Sequence, residues 1–274
     1  MNLLTDKGYF LIAVLIYGVS VVYSVRLWRK GFRRNDWVIY GLYWLAFLFH
    51  TGAMLTRGYS LSRCPIQNLA EAIAFIAWTI VASYLAIGLS ARFRFLGAFA
   101  SPVIFAIVLL ALLPGFDKPP TDGAASDVKW ASLHGALILH GYGAFGLSAV
   151  AGLMYLTQDH DLRINKMRAI QAIMPPVQML EKVIQRMLEV GFVLWTAGLL
   201  LVPAMLSQNS TLNLKGDPKV IWSFFVWLGY LALMFVHWKF SPGGRRFAIS
   251  SVACFAFVML TFWGVNLLSP VHNP

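Results

Sequence analysis

Long runs without a charged residue recur along this chain, Tyr9 to Val25 and Val190 to Ser210 among them. About 20 residues of helix cross the hydrocarbon core of a bilayer. Inside lipid every backbone N–H and C=O must be paired within the protein, which leaves helices and closed barrels as the spanning structures. The runs are continuous rather than alternating, and that excludes a transmembrane β-barrel. Apolar and aromatic residues make up 59% of the 274 positions and charged residues 12%, about half the charge of a soluble domain. A soluble enzyme, a disordered tail and a disulfide scaffold are excluded with it. The expected fold is all-α: a polytopic membrane helical bundle forming a single membrane domain over residues 1–274.

Eight spans are expected, at 8–25, 37–56, 69–90, 95–113, 130–156, 189–206, 220–238 and 247–268. Most of the 22 Lys and Arg residues fall in the odd-numbered connections: Arg26 to Arg34, Arg92 and Arg94, Arg163 to Arg186, and Lys239 to Arg246. The positive-inside rule puts those connections in the cytoplasm and both termini on the outer side. The first run has its basic residues after it and no cleavage site, so it reads as a retained helix rather than a signal peptide. The net charge of +11 lies between hydrophobic spans, as orientation signals do, and predicts no nucleic-acid partner. Leu180, Val183, Ile184, Met187, Leu188 and Gly191 repeat with helical period, with Glu181, Lys182, Gln185, Arg186 and Glu189 opposite. This segment is expected to lie along the cytoplasmic surface as an amphipathic connector into the sixth span.

Six histidines supply most of the possible chemistry, since an ionisable side chain in or near a span is a functional candidate. His134 and His272 fall on the outer side, His50 inside the second span and His237 near the cytoplasmic end of the seventh. Trp227, Tyr230, Met234 and His237 share one helical face, which suits either a cradle for a planar cofactor or ordinary packing. His140 lies about 240° around the helix from His134 and reads as a packed core residue, while His160, between Asp159 and Asp161, reads as solvated. Asn68 and Glu71 are placed to cap the third span. No zinc spacing, P-loop or nucleophile–base arrangement is present, and no catalytic constellation can be named. Cys64 and Cys254 form no C-x-x-C pair, and a mutual disulfide is not expected.

Four segments carry a resemblance. Pro65-Ile66-Gln67-Asn68-Leu69-Ala70-Glu71 resembles the outer P-L/I-x-N-L-x-E segment of the cytochrome c assembly (CcsA/ResC) family. Leu133-His134 with Tyr142 is similar to its M-H-x7-Y. Leu180-Glu181, Arg186, Gly191-Phe192 and Gly198 follow its L-D/E…R…G-F…G pattern. Asp217-Pro218-Lys219, Trp222 and Trp227, then Phe262-Trp263-Gly264-Val265-Asn266-Leu267-Leu268 and His272, are similar to the end of its tryptophan-rich segment and its closing F-G-V-N-L-L…H. The likeness runs from about residue 57 to 274.

The resemblance implies a multi-pass protein of the bacterial cytoplasmic (inner) membrane. It implies that haem b is bound, translocated and presented at the outer face to a c-type apocytochrome. His134 and His272 would be axial ligands of the haem iron, and His237, displaced by two residues from a family histidine, a further ligand within the membrane. His50 is a second intramembrane candidate, and Trp222 and Trp227 are candidate walls of the haem site. The chain lacks C-x-x-C-H, so it is not itself a c-type cytochrome. A second membrane assembly subunit is therefore expected as partner beside the lipid bilayer, with any synthase activity belonging to the complex. The stretch 208–217 contains no tryptophan, which is similar to the smaller HemX branch. The alternative is accordingly a membrane regulator of haem biosynthesis, acting on the level of glutamyl-tRNA reductase without haem transfer.

Overall fold

The computed structural model describes residues 5–30, 37–61, 64–66, 68–90, 93–117, 129–163, 176–208, 216–240 and 243–268. The described elements are helices, with no strand among them. They are α1 (Asp6–Lys30), α2 (Trp37–Leu61), α3 (Leu69–Ile87), α4 (Leu96–Ala111), α5 (Lys129–Arg163), α6 (Val177–Leu200), α7 (Val202–Gln208), α8 (Pro218–Phe240) and α9 (Gly244–Leu268). Seven are long and apolar enough to cross a membrane, and α4 is a shorter apolar helix. Seven of the expected spans each fall on one helix.

The expected span at 189–206 and the segment before it turn out differently. The segment 180–191 and the first part of the span share one helix, α6, which packs antiparallel along α5 and is long and apolar enough to be part of a crossing, and the rest of the span continues into α7. The helix stops at Leu201, whose N–H bonds back to Gly198 (3.2 Å). Pro203 can neither donate to the helix nor avoid the carbonyl one turn earlier, so α7 begins as a separate short piece.

Two charged clusters fix which helix ends lie together. At one end Arg57 of α2 donates to Glu71 of α3 (2.7 Å), to Asp6 of α1 (3.1 Å) and to Asp117 just beyond α4. Lys7 pairs with Asp117 at 3.1 Å, and Asn68 donates to it at the same distance. At the other end the guanidinium of Arg94, before α4, sits 3.6 Å over the Trp37 ring at the start of α2. Its Nε donates to Gly88 after α3 (2.9 Å). The first four helices thus alternate in direction. Although α4 has only 16 residues, about 24 Å of helix, its flanking residues reach both clusters.

The second half is built on α5. Gly143 of α5 meets Thr79 of α3, and Gly146 meets Ile80, so these helices run parallel. Gly141 and Gly191 let α5 and α6 approach until a Cβ on Gly141 would lie 3.0 Å from the Gly191 carbonyl oxygen. Ser148 bonds both the Ile184 carbonyl (3.2 Å) and the Ser251 hydroxyl (2.8 Å), tying α5 to α6 and α9. The start of α1 and the end of α9 come out at the same end of the bundle, as an even number of crossings requires.

Indole–threonine pairs recur between helices. Trp78 of α3 donates to Thr51 of α2 (2.9 Å), Trp222 of α8 to Thr261 of α9 (3.0 Å) and Trp227 of α8 to Thr196 of α6 (3.0 Å). Each threonine hydroxyl donates to the carbonyl four residues back in its own helix at 2.7 Å, which leaves its lone pairs for the indole. In lipid such ties replace the missing hydrophobic drive between helices.

Burial disfavours the charge of Asp117, but the hydrogen bonds from Arg57 and Lys7 prevail and hold its carboxyl below the usual carboxylate range. Its ionised form therefore stabilises the fold fully above about pH 4 and loses that contribution as the pH falls through the depressed value. Melting in detergent between pH 6 and pH 2 should show an acid-induced loss of stability that is smaller in Asp117→Asn. Close packing makes a second forecast. Gly143→Ala places a methyl against Thr79, whereas nothing lies within 4 Å of a Cβ on Gly229. The first should cost about 1–3 kcal/mol and the second almost nothing, read from unfolding in mixed micelles.

Candidate functional site

Parts of the resembling segments come together at the Arg57 end of α5–α9, namely His134 with Tyr142, Gly198, Asp217 to Trp222, and Phe262, while Leu180 and Glu181 lie at the Arg94 end of α6. His134 is half-buried in the second turn of α5, and its Nδ1 lies 2.7 Å from the Gly198 carbonyl oxygen near the end of α6. The Gly198 carbonyl, in the last turn of α6, also accepts the Leu201 N–H, and its second lone pair is left for the imidazole. A carbonyl only accepts, so Nδ1 carries the proton and Nε2 keeps its lone pair. No described residue hydrogen-bonds to Nε2. Metal-binding imidazoles are commonly prepared in this way, one nitrogen donating to a carbonyl and the other left for the metal. Lys219 of α8 lies within electrostatic reach of the ring.

Beneath His134 stands an aromatic cluster drawn from four helices. Tyr142 of α5 is fully buried, with ring centroids 4.8 Å from Trp195, 5.6 Å from Phe262 and 6.4 Å from Trp222. The start of α8 is fixed by the Asp217-Pro218-Lys219 sequence. The Asp217 carboxylate accepts from the backbone N–H of Lys219 (2.9 Å) and of Val220 (3.2 Å). Pro218 opens the helix where no donor is needed. The Lys219 ammonium then lies 5.3 Å over the Phe262 ring of α9. Ile66 abuts the same region, filling the space beside Gly135, the residue after His134.

Asn68 and Glu71 form a capping box, Asn68 Oδ1 accepting from the Glu71 N–H (2.8 Å) and Glu71 Oε2 from the Asn68 N–H (3.4 Å). Glu71 is 4% exposed and pairs with Arg57, a partnership 14 residues away in sequence. These motif residues hold the ends of α2 and α3 together.

Of the other candidates, His50 and His237 lie apart from His134. His272 falls outside the described residues. His50 is fully buried on α2, edge-on to Phe10 of α1 and with Nδ1 3.4 Å from the Tyr17 hydroxyl, and its Nε2 has no partner among the described residues. His237 lies at the Arg94 end of α8, stacked 3.6 Å from Phe247 of α9, its buried Nδ1 likewise without a described partner. Because α2 packs on α1, α3 and α4 while α8 packs on α6 and α9, His50 and His237 sit in different halves of the bundle. Trp222 and Trp227 both have their indoles engaged in helix packing, Trp227 also stacking on Phe192. The face shared by Trp227, Tyr230, Met234 and His237 is divided between neighbours, with Tyr230 stacked on Phe145 at 3.7 Å and His237 on Phe247. These contacts pack that face of α8 against α5, α6 and α9. His140 bonds within its own helix, to the Ala136 carbonyl (2.8 Å). Among the described residues no three His, Cys, Asp or Glu side chains gather as a metal site.

A family model described as cytochrome C assembly protein matches residues 66–272, which takes in all four resembling segments but for Pro65. The chain belongs to that family. It is 25% identical over 277 residues to cytochrome c biogenesis protein CcsA of Prochlorococcus marinus (strain MIT 9303), covering 89% of this chain and 86% of that one. It is 23% identical over 296 residues to the protein of the same name from Parasynechococcus marenigrum (strain WH8102), covering 97% and 94%. The Guillardia theta protein of that name is 22% identical over 276 residues, covering 94% and 90%. Family membership supports a role in cytochrome c maturation in a membrane, and with it an involvement of haem. The HemX alternative is not favoured.

The cap of α8 offers a local test. Asp217→Ala should cost about 0.5–2 kcal/mol and speed amide exchange over Lys219 to Trp222, while Asp217→Asn, which keeps an acceptor, should lose much less. Exchange measured on the protein in micelles reads both.

Proposed function

We propose that this chain handles haem b for cytochrome c assembly. It takes haem to the outer face of the bacterial cytoplasmic membrane and offers it there to a c-type apocytochrome, in concert with a second membrane subunit. The observation that carries this reading is the set imidazole of His134, proton on Nδ1 and lone pair on Nε2, beside Gly198 of α6 and above the Tyr142 aromatic cluster. The basic residues of the connections, on the opposite side from His134, support the outer assignment of this end. His272 is the proposed second axial ligand.

The residues fit the group in chemical kind. Haem, when bound, supplies an iron that takes two imidazoles and a flat apolar ring bearing two carboxylates. His134 offers the nitrogen, held from turning by Gly198. Lys219 offers a cation beside it for a propionate. Trp222 and Trp227 serve by fixing α8 against α9 and α6, which sets where Lys219 stands. His50 and His237 are proposed ligands on the way through the membrane. Each offers a buried ring nitrogen free of described partners, and each would need its second ligand from another source.

The full-length protein, purified with haem supplied in excess, should show the absorption spectrum of a low-spin bis-imidazole haem. His134→Ala and His272→Ala should each abolish it, and added free imidazole should restore it. Failure of the wild-type protein to take up haem overturns the reading.

A further inference from the structure

The first half of α6 turns its charges away from α5. Leu180, Ile184, Leu188 and Gly191 are buried, while Lys182, Arg186 and Glu189 are exposed, along with Gln185. Their depth follows from the helix crossing. Gly191 lies against Gly141, and Gly143 of α5 meets Thr79, which stands midway along α3. Glu189, about 3 Å along the axis from Gly191, is therefore at mid-height of the bundle. Arg186 is about 4–5 Å and Lys182 about 10 Å nearer the Arg94 end. At the same height the neighbouring helices present apolar side chains outward. Leu228 and Leu231 of α8 are exposed on either side of Tyr230, which stacks on Phe145. Ile249 of α9 is exposed two residues from Ser251, which bonds Ser148. This belt faces lipid, and within it α6 alone among these three sets out a charged stripe.

Charges at that depth are costly against hydrocarbon and are met in practice by facing a partner. The stripe has two cations and one anion, and the anion is already engaged: Gln185 donates to Glu189 Oε1 at 2.8 Å. Lys182 is close enough to the Arg94 end to extend its ammonium toward water, but Arg186 is not, and it has no partner among the described residues. A second copy of the chain docked here would double the excess of cations, and lipid tails supply no acceptor. A carboxylate at the height of Arg186 neutralises the stripe. We propose that this outward face of α6 docks a transmembrane helix of a partner membrane protein, and that the partner helix carries an acidic residue level with Arg186. The proposal rests on the preceding reading for the presence of a partner subunit and on nothing about haem.

The test uses the full chain in phosphatidylcholine vesicles and a synthetic leucine-rich transmembrane peptide with one central Glu, association being followed by energy transfer. The Glu peptide should bind about tenfold more tightly than its all-leucine counterpart, and Arg186→Leu should erase that difference. Arg186→Glu should transfer the preference to a peptide with a central Lys, which shows that the variant is folded. Equal binding of both peptides, indifference to Arg186→Leu, or α6-to-α6 association of copies in their place overturns the proposal. So does rapid reaction of Glu189→Cys, in a Cys64→Ser, Cys254→Ser background, with a membrane-impermeant maleimide. No haem enters these measurements, so their failure is distinguishable from failure of the haem spectrum.

Discussion

The crossing of α5 and α6 governs the register of everything around the candidate site. Two glycines facing each other bring the backbones so close that the helices cannot slide without a clash, and from that point the remaining contacts can be counted outward. One direction leads to His134 beside the Gly198 carbonyl, the other to Ser148 beside the Ile184 carbonyl. The same register sets the height of the α6 charges within the bundle. In a bilayer, where lipid is as apolar as leucine, close backbone approach and hydrogen bonds supply what the hydrophobic effect supplies in water. A larger residue at either glycine would shift His134, its hydrogen-bond partner and the charged stripe together.

Polar groups in this molecule are handled in two ways. Inside the bundle they pair across helices with small partners. The three indole–threonine ties each use a hydroxyl already bonded to its own helix, so no donor is left over. At the Arg57 end an ionic cluster joins four helix ends through one guanidinium, whose planar fork suits several carboxylates at once. Neither device resembles a catalytic centre. His134 and His140 each rest Nδ1 on a backbone carbonyl, but the carbonyl belongs to the neighbouring helix for His134 and to its own helix for His140, while His50 and His237 each bury a ring nitrogen without a described partner.

Spans were legible because continuous apolar runs of the right length admit few other structures. The capping box was legible too, since Asn68 and Glu71 are three residues apart and the chemistry is local. His134 could be found from its neighbours His134 to Tyr142 and from the outer side of its span. What lies across helices was not legible. Arg57 with Glu71, and Trp222 with Thr261, are paired by tertiary packing that no periodicity encodes. The α6 segment was misplaced for a related reason: a helix with one apolar and one charged face satisfies a membrane surface and a neighbouring helix equally well. The stripe ending in His237 has the same ambiguity, and its side chains pack against α5, α6 and α9.

His140 and His134 are six residues apart on one helix, yet they are anchored to different bodies. The first holds on to its own helix and moves with it. The second is steered by a carbonyl of the adjacent helix, so its ring plane records where α6 stands relative to α5. An event that tugs α6 along its axis is thereby converted into a rotation of the imidazole at the far end of the hairpin. The facing of that ring and the position of a neighbouring rod become one mechanical variable.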